Sequence, residues 1–231
     1  MPHENVSVVL AHGAWADGSS WAKVIGPLAA QGMQVLAAPL PLTSFAEDTA
    51  ALERTLERAS GPVVLAGHAY AGAVIGAARH QNVKALVYIT ALAPDEGETA
   101  SDVFYRGKPD PLAPKLAPDN HGLIYLPHEA FAAAFAQNAS ADEVALLAAV
   151  QRPISPACIT VPVNRPLWKD RPSWFLIAEQ DRMIVQDTQS FMAERMRARV
   201  RSHPVDHAPI VTAPGLVVDI IREAIRETID G

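Results

Sequence analysis

Four short stretches hold the residues that could do chemistry. The first is "GHAYAG", Gly67–Gly72. In an elbow of the form G-x-S-x-G a nucleophilic serine sits on a strained turn from strand to helix, and small residues flank it because larger ones would collide with neighbouring elements. Here the centre of the turn is Ala69, and the second framework glycine is Ala71. The frame of a nucleophile site is present without its oxygen. A generic tight β-to-α turn is the competing explanation for one hexamer alone.

The second stretch is "HGAW", His12–Trp15, directly after an apolar run. A backbone N–H from such an early loop can join the N–H after the nucleophile to hold an oxyanion. The two donors would be Ala14 and Tyr70. Trp15, Tyr70 and His12 are the candidate substrate contacts, although a histidine placed like His12 more often fixes its loop than carries a proton. The third stretch, "SWFLIAEQDRMI", puts Asp181 a few residues past a strand, where an acid that orients a histidine belongs. Its rivals are Glu179, too near the strand end, and Asp187, which has the look of a helix N-cap. The fourth, "SHPVDHAPIV", offers His207 in a loop as general base, ahead of His203 at a strand end.

Something must hold these stretches together, and the hydrophobic pattern says what. Continuous apolar runs at Val6–Ala11, "MQVLAA", "PVVLAG", "VKALVYITAL" and "SWFLIA" read as buried strands, with a short sixth strand near Val200–His203. Helical segments alternate with them. One is capped by Ser19 or Ser20 and runs to about Ala30, with Gly32 as its stop. A second opens at the Ser44/Glu47 capping box and runs to about Ala59, a third spans Ala71–Arg79, a fourth Thr188–Arg197, and the last starts near Leu216. That alternation predicts an α/β fold: a mostly parallel central sheet flanked by helices.

The alternation breaks between residues 94 and 171, which are rich in proline and contain helical runs such as "HEAFAAAFAQ" and "ADEVALLAAVQ". This stretch reads as a mainly helical cap inserted into a core made of residues 1–93 and 172–231. Its aromatic groups, including those of "DVFYRG", "LIYLP" and Trp168, suit an apolar pocket or simple packing of cap on sheet. Arg106, Lys108 and Lys115 could meet an acidic substrate, with solvated surface charge as the plainer reading.

Composition narrows the function classes. A net charge of −6 and no basic stripe argue against nucleic acid. The single cysteine, Cys158, excludes an intramolecular disulfide framework and a multi-cysteine zinc site, and reads as a small buried hydrophobe. With no basic stretch leading a long apolar run, the expectation is a cytoplasmic protein without membrane spans. Homo-oligomerisation is left open.

Together, "HGAWADGSSW", "GHAYAG", "ALVYITALAPDEGE", "PSWFLIAEQDRMI" and "DHAPIV" resemble the α/β-hydrolases. The likeness is to the branch of small plant-type methyl esterases and hydroxynitrile lyases and their bacterial relatives. The resemblance spans nearly the whole chain, most loosely across the cap. It implies a Ser–His–Asp triad in the chain order elbow, acid, histidine, with an oxyanion hole, no metal and no cofactor. In this sequence that means Ala69 at the nucleophile position, His207 as base, Asp181 as acid, and Ala14 and Tyr70 as donors. The implied substrate is a small, largely apolar ester. Three explanations fit the alanine: a Ser→Ala change in an otherwise active esterase, a hydrolase-shaped binding protein without catalysis, or a lyase that uses His207 as base and needs no nucleophile. The first accounts for most, because a chain freed from catalysis need not keep the elbow, the early loop and the His–Asp pair together.

Overall fold

A computed structural model describes residues 5–229. Six parallel strands form one sheet in the order β2-β1-β3-β4-β5-β6. β1 (Ser7–Ala11) leads through a 3-10 turn, Gly18–Trp21, into α1 (Ala22–Ala29), β2 (Gln34–Ala38), α2 (Phe45–Leu56), β3 (Val63–His68), α3 (Ala71–Gly76) and β4 (Val83–Ile89). The strands β1, β3 and β5 are buried along their whole length, as their unbroken apolar runs require. The chain leaves β1 and β3 toward different neighbours, so a crevice opens beyond their carboxyl ends.

After β4 the chain makes a long excursion of short helices before it rejoins the sheet. These are α4 (Ala100–Phe104), α5 (His128–Ala130) continuing as a π-helical turn over Phe131–Phe135, and α6 (Ala141–Val150). β5 (Ser173–Ala178), α7 (Gln186–Arg195), β6 (Arg199–His203), α8 (Pro209–Thr212) and α9 (Pro214–Thr228) complete the fold. The excursion lies across the carboxyl end of the sheet. It is fastened there by Trp15 Nε1 donating to Ile124 O (3.0 Å), Ser155 N to Leu42 O (2.9 Å), Asn138 N to Asp206 Oδ2 (2.8 Å) and a Lys23–Glu143 ion pair. Among the described residues no helix is long and apolar enough to cross a membrane.

Several boundaries differ from expectation for local reasons. The first helix is capped by Asp17, whose carboxylate accepts from Ser19 N at 2.8 Å, and not by either serine. Ser44 does cap α2, accepting from Glu47 N. Asp187 is no N-cap: it lies inside the first turn of α7, which begins after Val185 without a side-chain cap. β4 stops at Ile89 and not at Leu92, because Thr90 adopts φ 45°, outside extended geometry. α3 ends at Gly76, three residues before Arg79.

Candidate active site

Ala69 stands between β3 and α3 with φ 51°, in the left-handed region that a residue with a Cβ occupies only at a cost of about 1–2 kcal/mol. The surroundings hold it there. Its N–H donates to Ile89 O (3.2 Å), and its carbonyl accepts from Leu92 N (2.9 Å) and Gly72 N (3.1 Å). So tight is the turn that a Cβ at Gly67 would stand 2.8 Å from Ala71 O, and one at Gly72 only 2.3 Å from Leu92 O. The close approach falls on Gly72, which explains how a methyl is tolerated at Ala71. This is the geometry that presents a side chain outward from the end of a strand.

The loop after β1 abuts the elbow. A Cβ at Gly13 would lie 2.9 Å from Ala69 Cβ, so only glycine lets the two segments touch. Ala14 and Tyr70 both line the cavity that Ala69 lines, and neither backbone N–H has an acceptor among the described residues. Two N–H groups without partners beside the elbow are what an oxygen bearing developing charge requires.

His207 and Asp181 come from loops 26 residues apart in sequence and meet through His207 Nδ1 and Asp181 Oδ2 at 2.8 Å. Both are buried. A carboxylate only accepts, so Nδ1 carries the proton and Nε2 keeps its lone pair on a ring that lines the cavity. Asp181 is fully satisfied. Its Oδ1 accepts from Met183 N (2.7 Å) and Ile184 N (2.8 Å), and its Oδ2 accepts from Gln189 Nε2 (2.9 Å) as well as from the histidine. Gln189 is itself held through Oε1, which accepts from Ala178 N at 3.0 Å. The His207 carbonyl accepts from His68 Nε2 (2.7 Å) and Thr90 Oγ1 (3.0 Å). His68 is wholly buried, and burial above all, together with the neighbouring His207, pushes its pKa down to about 3. It is therefore a neutral donor. Phe135, at the end of the π-helical turn, sets its ring edge-on to those of His207, His68 and Trp15.

The rival acids and the rival base lie elsewhere. Glu179 is exposed and accepts from Ser202 Oγ, Asp187 is exposed on α7, and His203 ends β6. Trp15 (φ 58°) and Tyr70 line the cavity. His12 does not: it is fully buried behind the loop, its Nδ1 donating to Gly13 O at 2.9 Å, and burial lowers its pKa. Loop fixation is thus its visible role. Arg106 stacks on Phe191 and Trp168 packs against Pro94 O, and neither they nor Lys108 and Lys115 reach the cavity wall. The contributions of Gly13, Thr90, Phe135 and Gln189 were not read from sequence. Gln189 is a polar residue on the face of α7 that Met192 and Ala193 also bury.

The cavity has about 600 Å³ of space between its atoms, open solvent at its mouth included. Phe104, Leu116, Ile124, Ile154, Ile159 and Met183 line much of it, and among the described residues no Asp, Glu, Lys or Arg does.

Comparison with known proteins agrees with this architecture. The model of a family described as "Alpha/beta hydrolase family" matches residues 8–220. Among solved structures, polyneuridine aldehyde esterase superposes with a TM-score of 0.78 at 17% identity, covering 95% of this chain and 98% of that one. The pyrethroid hydrolase PytH gives 0.79 at 22% identity, covering 94% and 96%. The methylesterase MES16 from Arabidopsis gives 0.77 at 16%, covering 96% and 99%. No curated protein sequence matches the chain.

Proposed function

The chain belongs to the alpha/beta hydrolase family, and on that premise we propose that its cavity serves the hydrolysis of a small, largely apolar carboxylic ester, with Ala69 standing where the nucleophile acts. With alanine there, the chain binds such an ester without cleaving it. The observation that carries this reading is a convergence: a left-handed elbow residue, a buried His207–Asp181 pair and two unpartnered N–H groups bound one apolar cavity. The likeness to polyneuridine aldehyde esterase, the pyrethroid hydrolase PytH and the methylesterase MES16 supports the class of reaction.

In an Ala69→Ser form the reaction follows from the geometry. His207 Nε2 removes the hydroxyl proton as Oγ attacks the ester carbonyl, and Asp181 holds the imidazole in its tautomer and stabilises the imidazolium. The Ala14 and Tyr70 N–H groups receive the oxyanion. The alkoxide leaves with the proton from His207, giving an acyl-enzyme. Water, deprotonated by His207, then releases the acid and restores the serine. A cavity wall without charged side chains favours a neutral ester over an acidic one.

The test compares the unmodified chain with Ala69→Ser on short-chain p-nitrophenyl and methyl esters. Losing a serine nucleophile costs subtilisin about 10⁶ in kcat, so restoring it here is expected to raise turnover by several orders of magnitude. His207→Ala in the serine form should abolish that gain. A folded Ala69→Ser protein that stays inert across the panel would sink the esterase reading in favour of a ligand-binding or lyase site.

A further inference from the structure

Behind the elbow lies a buried acid that the chemistry above does not use. Asp48, in the first turn of α2, is completely buried, and among the described residues no cation pairs with it. Burial is the main cause that raises its pKa, with the Tyr70 hydrogen bond acting against it. Its Oδ1 accepts from Leu42 N (2.7 Å) and its Oδ2 from the Tyr70 hydroxyl (2.7 Å). The Cys158 thiol lies beside the pair. A carboxyl taken out of water with no cation within ion-pair distance, Arg152 acting on it only from farther off, is costly, and packing alone would be served as well by leucine.

What the carboxyl holds gives it a purpose. Tyr70 lines the cavity and carries the backbone N–H read above as an oxyanion donor, while its hydroxyl donates to Asp48 in the core. The peptide joining Ala69 to Tyr70 follows a strained residue, and rotating that peptide plane is the natural way for the strain to relax. Such a rotation would turn the N–H away. Tethering the far end of the Tyr70 side chain resists it. On its other oxygen Asp48 holds Leu42, also left-handed at φ 61°, whose carbonyl accepts from Ser155 N at 2.9 Å. Ser155 follows Ile154 and precedes Ile159, both of them cavity wall. One carboxyl therefore joins an oxyanion donor to the cap side of the cavity.

We propose that Asp48 is a positioning residue: through the Tyr70 hydroxyl it fixes the direction of the Tyr70 N–H, and through Leu42 it keys that donor to the cap wall. This rests on the ester-hydrolysis reading, because a donor needs fixing only if an oxyanion forms.

The experiment has two arms. In the unmodified chain, methyl benzoate is titrated while the Ala14 and Tyr70 amide signals are followed by ¹H–¹⁵N NMR, since an ester carbonyl oxygen between the two donors should shift both. In Tyr70→Phe and Asp48→Leu the Tyr70 response should shrink and the Ala14 response persist. In Asp48→Asn, which can accept from Leu42 and donate to the phenol oxygen, both should persist. Kinetically, on the Ala69→Ser background, Tyr70→Phe and Asp48→Leu should lower kcat about 10- to 100-fold with KM little changed, the scale set by about 1 Å of misplacement. Asp48→Asn should recover most of that loss. Parent-like kcat and Tyr70 response in Tyr70→Phe would overturn the proposal, and this variant decides the matter even if Asp48→Leu does not fold. If neither amide of the unmodified chain responds to methyl benzoate, the oxyanion-hole reading itself fails and the proposal falls with it. That outcome is distinct from a responsive hole indifferent to Asp48.

Discussion

Gly13→Ala puts the contact between the oxyanion loop and the elbow to a quantitative test. The new Cβ would sit 2.9 Å from Ala69 Cβ, 3.1 Å from His68 O and 3.2 Å from His68 Nδ1, where a comfortable carbon–carbon contact is about 3.5–4.0 Å. None of these neighbours can swing aside. Ala69 Cβ has no torsion to relieve it, His68 O is backbone of a buried strand, and the His68 ring is pinned by its bond to His207 O. Overpacking costs about 1–3 kcal/mol, and a rigid surround places this case near 2–3. Gly13 is not left-handed, so alanine gains about 0.5–1 kcal/mol by restricting the unfolded chain. The net loss is about 1–2.5 kcal/mol, or a Tm lower by about 2–10 °C at this chain length. Removing the closest partner with Ala69→Gly should return about 1 kcal/mol, because the contacts to His68 remain. Urea unfolding of the four proteins in that double-mutant cycle, at constant m-value, measures the coupling. Additivity within about 0.3 kcal/mol, or a Gly13→Ala protein as stable as its parent, would refute the claim that the loop is butted against the elbow.

Other outcomes follow from the same geometry. Asp181→Asn on the Ala69→Ser background should lower kcat about 10³- to 10⁴-fold by letting the wrong tautomer of His207 prevail, as steady-state kinetics would read. Gln189→Leu should lower kcat about tenfold with KM unchanged, and it should cost about 1–3 kcal/mol because the Ala178 N–H is left buried without an acceptor; parent-like stability would contradict that. His68 should make the fold acid-sensitive. Its pKa falls from 6.5 to about 3 on folding, so the unfolded chain binds the proton more readily. The stability it confers is complete above pH 6.5 and is lost as pH falls toward 3, at about 1.4 kcal/mol per pH unit. At pH 4.5 that amounts to about 2–3 kcal/mol, and His68→Gln should flatten the pH dependence by this amount in urea unfolding at pH 7.0, 5.5 and 4.5. An unchanged slope would assign the acid sensitivity to other groups.

What the sequence by itself determined was whatever is encoded between near neighbours. Continuous apolar runs specified buried strands, their alternation with helical patterns specified a parallel sheet, and the small residues around Ala69 specified a turn that only a few side chains fit. The pairing of His207 with Asp181 was legible for a related reason: in a parallel sheet, loops after successive strands must collect at one end, so two chemistry-bearing loops there have few other places to go. The rest depended on distances across the fold. That Gly13 must be glycine is decided by Ala69, and that Gln189 is buried is decided by Asp181. His12 looked like a substrate contact by adjacency and proved to point behind its loop. Asp187 looked like a cap because an acid before a helix often is one, yet α7 starts before it. Tyr70 was visible as a donor, but nothing local to either residue revealed that its hydroxyl ends on Asp48. Tyr70 and Asp48 are 22 positions apart, and the energy of such contacts depends on packing that exists only once the sheet and its covering segment have closed.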